Sequence, residues 1–257
     1  MCIRDSAAVL SGLLLRNHPP GARELSDSIS FSAVRASMGL ALREPGTRLG
    51  FWVHFTVQFA GNTFALMWAY PYLQNAQGLD PGQASAVMTV YVVFNVVVAP
   101  VIGRLSARFA HHRSRLVLAC CAVSWSGWAV LLLWPGRAPL AVVYGGVCLI
   151  ALSLPASMIA FDIVRSFSPP RVSGTATGLA NVGGFAASLL AIWVTGLVLD
   201  LLYGAGISST LYDGEAFRPA IAAQGLVALV GTLMGQLVFG YFGDKLGRKR
   251  VYGITLV

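Results

Sequence analysis

Six long stretches of the chain carry no Asp, Glu, Lys or Arg: residues 49–79, 81–103, 116–136, 138–161, 172–199 and 219–243. The 28 charged residues, spread at random over 257, would leave gaps of about nine. The shortest of the six stretches is 21 residues, which as an α-helix is roughly 31 Å long and crosses the hydrocarbon core of a bilayer. Apolar helices of a water-soluble core are shorter and keep charge on one face. The pattern predicts an all-α polytopic membrane protein with six transmembrane helices.

The charges between the stretches set the sidedness. With the chain alternating sides, one side holds Arg4, Arg16, Arg23, Arg35, Arg43 and Arg48, then Arg104, Arg108, Arg113 and Arg115. It also holds Arg165 and Arg171, then Lys245, Arg248, Lys249 and Arg250. The other side holds only Arg137 and Arg218 as basic residues, with Asp80, Asp200, Asp213 and Glu215. Sixteen against two is the asymmetry that places the basic loops, and here both termini, in the cytoplasm. The expected location is the plasma (inner) membrane of a bacterium.

The same placement accounts for a net charge of +8 and a pI near 9.7. Arginines in short loops beside helix ends serve topology and lipid headgroups, so the bilayer is a partner and nucleic acid is not. Enzyme chemistry finds little to stand on. His54 is the only histidine inside a predicted helix, no Gly-x-Ser-Gly or His-Glu-x-x-His occurs, and His111-His112 lies in a basic loop without an acidic partner. Cys120, Cys121 and Cys148 lack metal-ligand spacing and read as small apolar fillers. No catalytic residue, metal site or cofactor is expected.

Residues 1–48 do not read as a domain. Ala7–Leu15 is apolar but too short to span and is followed by Asn17-His18-Pro19-Pro20 rather than by a cleavage site. It reads as the tail of a truncated helix, and residues 17–48 as a cytoplasmic connector. Met1-Cys2-Ile3-Arg4-Asp5-Ser6 resembles translated adapter sequence and is set aside. The expected organisation is 1–48 as helix tail and connector, 49–243 as a six-helix unit, and 244–257 as a cytoplasmic loop leading into a further apolar segment.

Near the C-terminus stands Gly240-Tyr241-Phe242-Gly243-Asp244-Lys245-Leu246-Gly247-Arg248-Lys249-Arg250. Gly240 and Gly243 allow close helix approach, Asp244 can face a helix N-terminus, and Arg248 can hold an ionic partner. This spacing resembles the cytoplasmic loop motif of the major facilitator superfamily. The resemblance implies a latch made of Gly240, Gly243, Asp244, Gly247 and Arg248. A degenerate copy, Gly103-Arg104-Leu105-Ser106-Ala107-Arg108 followed by Arg113, has Ala107 where the pattern wants Asp. Weakened copies in that place are a feature of the superfamily's second half, so the resemblance implies one half of a major-facilitator fold, with residues 49–243 as its C-terminal six helices. It further implies a secondary transporter that moves a small solute by alternating access, with a coupled proton and a missing N-terminal six-helix half as partners.

Three other features agree with that expectation. Asp162 and Arg165, at i and i+3 near the inner end of the fourth helix, form a candidate gate pair. The run Gly174-Thr175-Ala176-Thr177-Gly178-Leu179-Ala180-Asn181-Val182-Gly183-Gly184 opens a helix with a small-residue face, suited to close packing or sliding. On the first helix His54, Gln58 and Asn62 recur every four residues and share a face. Polar groups at that depth avoid lipid, so they are candidates for lining a cavity or for bonding helix to helix. Asn95, near Tyr91 on the second helix, and Asn181 join them as weaker cavity-lining candidates. No Asp or Glu lies deep in any predicted helix.

The terminal segment departs from the rest. In the superfamily the well-preserved motif follows the second helix of the first half, whereas here it follows the sixth. Gly231–Val257 resembles the second helix and loop of phosphate:proton symporters more than residues 49–210 do, and Lys245 and Lys249 are the chain's only lysines. The expectation is a junction of two transporter fragments near Gly225–Gly235. The alternatives to a transporter are a non-transporting membrane scaffold or accessory subunit, and a chimeric fragment without function of its own.

Overall fold

The computed structural model describes residues 30–246, with side chains through Gly235. The chain divides into two compact units, Met1–Ala36 and Ser37–Val257. Of the first, only Ser30 and the opening turns of the helix Phe31–Arg43 are described. That helix runs through what the sequence suggested was a plain connector. Its sequence FSAVRASMGLALR is rich in Ala and Leu, which favour helix even without burial. At its far end Ala41 packs with Val164, Val172, Ala176 and Ala180.

Among the described residues, the second unit is an all-helical bundle of six spans. The first runs over residues 45–76, the second is Pro81–Arg108, the third Arg113–Leu133 and the fourth Leu140–Phe167. The fifth is Ser173–Gly204, and the sixth is built from Phe217–Ala222 and Gln224–Leu246. Five described helical stretches, Pro81–Arg108, Ala110–Leu133, Leu140–Phe167, Pro170–Gly204 and Phe217–Gly235, are long and apolar enough to cross a membrane. The first span has the length, and its hydropathy is lowered by His54, Gln58 and Asn62.

Local sequence explains where the spans start and bend. Pro45 and Pro81 each occupy the first turn, where a missing N–H costs nothing. Asp80 adds a capping box: its Oδ1 accepts from the Gln83 amide at 2.9 Å, and its own amide donates to Gln83 Oε1 at 3.2 Å. Gly78, at φ +68°, makes the turn before it beneath the Arg137 guanidinium. The first span is α-helical over Pro45–Thr63 and then widens into two π-helical stretches, Phe64–Trp68 and Tyr72–Ala76. Pro71 lies between them and lacks the amide that would continue the α ladder. The fourth span breaks into Leu140–Ala151, Ser153–Ser157 and Ile159–Phe167 around Pro155 for the same reason.

Glycines decide how closely the spans approach. A Cβ on Gly127 of the third span would lie 2.6 Å from the Gly146 carbonyl of the fourth, and one on Gly183 of the fifth 2.6 Å from the Phe51 carbonyl of the first. The first span is the hub, meeting the fourth, fifth and sixth through Gly50, Gly183, Gly184 and Gly231. Toward the end opposite the arginines, an aromatic core gathers Phe64, Trp68, Tyr72, Tyr91, Trp128 and Phe217. The Phe64 and Trp128 rings meet edge-on at 5.6 Å. Toward the arginine-rich end the core is aliphatic, with Val57, Ile102, Val117, Ile159 and Ile163.

Hydrogen bonds close the end opposite the arginine-rich one. Gln77 Nε2 donates to the Tyr72 hydroxyl at 2.8 Å, and its Oε1 accepts from the Ala138 amide at 2.9 Å. Arg218 donates to the Trp134 carbonyl at 2.8 Å and to the Gly136 carbonyl at 3.2 Å. The turn between the third and fourth spans is thus held from both sides.

Candidate functional site

At the arginine-rich end, the ends of the second, third and fourth spans meet around Asp162. The buried Ser106 hydroxyl donates to Asp162 Oδ2 at 2.6 Å, and Arg165 Nη1 stands 3.7 Å from Oδ1. Arg113 reaches across with three bonds: to the Ser106 carbonyl at 3.3 Å, the Asp162 carbonyl at 3.3 Å and Ser166 Oγ at 2.7 Å. Ser166 in turn donates to the Asp162 carbonyl at 2.8 Å. Three helices therefore close on Asp162, its carboxylate held by Ser106 and Arg165 and its carbonyl by Arg113 and Ser166.

The cluster enlarges the pair expected from sequence. Asp162 and Arg165 do approach, but Arg165 is 63 % exposed, so that contact contributes little on its own. Ser106 and Arg113 are the partners that spacing along one helix could not supply. The degenerate loop has alanine at position 107, and the carboxylate at this corner comes from the fourth span, one residue away from that gap in space through Ser106.

The polar stripe of the first span faces the fourth and fifth spans. His54 is fully buried, its Nδ1 bonded to the Ser157 carbonyl at 3.0 Å and its ring 4.7 Å from that of Phe161. Asn181, itself exposed, approaches the same ring from the fifth span. Gln58 is buried against Gly184. One turn on, Asn62 Nδ2 donates to Ser188 Oγ at 3.3 Å, and Ser188 donates to the Gly184 carbonyl at 2.7 Å. Residues 54, 58 and 62 thus face 181, 184 and 188 as two helical rows in register. His54 and Gln58 are buried between packed helices.

Asn95 bonds within its own helix, to the Tyr91 carbonyl at 2.8 Å, while the Tyr91 hydroxyl donates to the Gly61 carbonyl of the first span at 3.0 Å. Of the latch, Gly240, Gly243 and Asp244 lie in the helix Gln224–Leu246, and the Asp244 side chain lies outside the described residues. Gly247 and Arg248 lie outside the described residues altogether. Among the described residues, no group of three or more His, Cys, Asp or Glu side chains is placed to hold a metal ion.

The family model of the Major Facilitator Superfamily matches residues 6–192. The chain belongs to the Major Facilitator Superfamily. It is a multi-pass membrane protein, and its six spans form one half of that fold. Short stretches are similar to plant proteins. "Inorganic phosphate transporter 1-11" of Oryza sativa subsp. japonica is 94% identical over 31 residues, 12% of this chain and 6% of that protein. "Low affinity inorganic phosphate transporter 4" of Lotus japonicus is 81% identical over 91 residues, 32% of this chain and 16% of that protein. "Putative inorganic phosphate transporter 1-13" of Oryza sativa subsp. japonica is 49% identical over 74 residues, 29% and 14% respectively. The chain thus spans no more than about a sixth of the length of these relatives. No solved structure matches it.

Proposed function

We propose that this superfamily member is the C-terminal half of a secondary transporter, which moves a small solute by rocking against an N-terminal six-helix half. The Ser106–Asp162–Arg113 cluster carries the reading: it ties three helix ends at one side of the bundle through polar bonds around one carboxylate, the kind of contact a gate at that end would use. The arginine-rich end faces the cytoplasm in this proposal. Reporter tags at Gly78, His112, Gly136 and Asp213 test it, with His112 alone expected to answer from inside.

Inorganic phosphate, the solute in the names of the relatives, is the first substrate to test. In this reading two transporter fragments are joined near Gly225–Gly235, the segment from about Gly231 resembling the loop of a phosphate:proton symporter and the residues before it belonging to another facilitator. Long-read sequencing of the source DNA across that junction checks this; one uninterrupted gene rules the joining out. Transport is tested by uptake of labelled phosphate into proteoliposomes. This polypeptide alone is expected to give none, and a longer reading frame containing six further helices is expected to give uptake. Uptake by this polypeptide alone contradicts the half-transporter reading.

A further inference from the structure

The helix Phe31–Arg43 carries an exposed apolar stripe. Met38 is 40 % and Leu42 47 % exposed, and Phe31 and Val34, exposed as well, extend the row along the same helix. The spacing i, i+3, i+7 and i+11 puts all four on one face. Leu40, also exposed, stands off that face. Ala41 fixes how the stripe is turned, because it is buried against Val164, Val172, Ala176 and Ala180. Leu42 follows Ala41 by about 100° round the helix, and Met38 precedes it by about one turn. The stripe therefore runs beside the contact with the fourth and fifth spans and is not used up by it.

Chain continuity decides what lies next to that stripe. Only Glu44 separates Arg43 from Pro45, where the first membrane span begins. Glu44 is extended, at φ −73° and ψ 126°, so the helix axis breaks there and does not run on into the span. Arg48, in the first turn of the span, reaches back across the break. Its Nε donates to the Leu42 carbonyl at 2.7 Å and its Nη2 to the Arg43 carbonyl at 3.0 Å, two of the acceptors that a helix end leaves open. A helix end tied this closely to the start of a span lies at the surface of the bilayer. The charges suit that surface. The helix has Arg35 and Arg43 and no Asp or Glu, and among the described residues neither arginine makes an ion pair. Arg35 sits at the edge of the stripe, where its stem can lie on the acyl boundary while the guanidinium reaches the headgroups. A water-soluble partner would have to enter the headgroup layer to touch Met38 and Leu42.

We propose that this helix is an interfacial anchor: Phe31, Val34, Met38 and Leu42 sink into the lipid leaflet at the arginine-rich end, and Arg35 and Arg43 hold anionic headgroups there. The proposal rests on the chain spanning a bilayer. It is independent of which solute the protein transports and of which side the arginines face.

The test measures depth on the full chain in bilayer discs of phosphatidylglycerol and phosphatidylcholine. A fluorescent amino acid is encoded in place of Met38, Leu42 or Leu40, and its depth is read from quenching by nitroxides fixed at the headgroup or along the acyl chain. The probe at 38 and at 42 is expected about 5–10 Å below the headgroups, and the probe at 40 at or above them, open to iodide in the water. In discs of phosphatidylcholine alone, acyl-chain quenching at 38 is expected to fall about twofold or more, and Arg35→Gln with Arg43→Gln to remove that dependence on lipid charge. Equal depth at the three positions, or free access of iodide to 38 and 42, overturns the anchor. Quenching indifferent to lipid charge overturns the role given to the arginines. In a longer reading frame with six further helices, lipid quenching at 38 and 42 is expected to persist. Its loss there would assign the stripe to a protein contact and overturn the proposal.

Discussion

Gly184 faces Gln58, and the side chain that the glycine lacks leaves the space the glutamine fills. A Cβ on Gly184 would collide with Gln58 Oε1 and stand 2.5 Å from His54 Cδ2. The fifth span can approach the first only because this position carries no side chain. Gly184→Ala is expected to cost about 1–3 kcal/mol, the usual penalty of overpacking. Gly178→Ala, on the same helix with nothing within 4 Å, is expected to be neutral or slightly stabilising. Unfolding in mixed detergent micelles measures both, and equal effects at the two positions would refute the packing argument.

The Ser106–Asp162 bond gives a second prediction. Ser106 is buried and its hydroxyl meets a carboxylate oxygen at 2.6 Å, whereas Arg165 stands 3.7 Å away and largely in the open. Removing the hydroxyl in Ser106→Ala should cost about 1–2 kcal/mol, and Arg165→Ala less than about 0.5 kcal/mol. A double-mutant cycle on Ser106 and Asp162 should return a coupling near the first figure. If Arg165→Ala proves the costlier change, the exposed ion pair and not the buried bond holds this corner.

These two sites mark how far sequence alone could reach. The six spans were legible because lipid forbids charge over a helix length, and that rule needs no knowledge of packing. The face shared by His54, Gln58 and Asn62 was legible from helical period. Its opposite row was not, since nothing in sequence sets residues 181, 184 and 188 beside a helix over a hundred positions earlier. Asp162 with Arg165 could be read because i and i+3 are neighbours on any helix. Ser106 and Arg113 were missed as its partners because they arrive from other spans. The helix Phe31–Arg43 went unread because its scattered arginines and exposed apolar residues resemble a connector.

Gln77 offers a third prediction, at the opposite end. Its side chain joins the Tyr72 hydroxyl to the Ala138 amide, at 2.8 and 2.9 Å, so both ends of one buried amide are satisfied. Gln77→Leu leaves the Ala138 amide without a partner in a buried setting, at a cost of about 1–3 kcal/mol. Hydrogen exchange should localise the damage, with Ala138 exchanging faster while Ala151, deep in the fourth span, does not change. Uniformly faster exchange through the fourth span would instead mean that Gln77 supports the whole bundle.

Asp213 makes the loop between the fifth and sixth spans sensitive to acid. Its carboxylate accepts from Ser209 Oγ at 2.9 Å and from the Glu215 amide at 3.0 Å, with the Ser209 amide at 3.3 Å. These bonds, the Ser209 hydroxyl first and then the Glu215 amide, favour the charged form and hold the group below its ordinary value of 3.8. A carboxylate depressed on folding adds stability that is in place above its unfolded value and is lost as pH falls through the folded one. The loop should therefore keep its shape down to the ordinary carboxylate value and loosen only in stronger acid. Exchange at the Ser209 and Glu215 amides, corrected for intrinsic rate, reports that step, and Asp213→Asn should remove it. A step of the same size in Asp213→Asn would assign the acid response to another carboxylate, with Glu215, 3.3 Å from Arg218, the next to change.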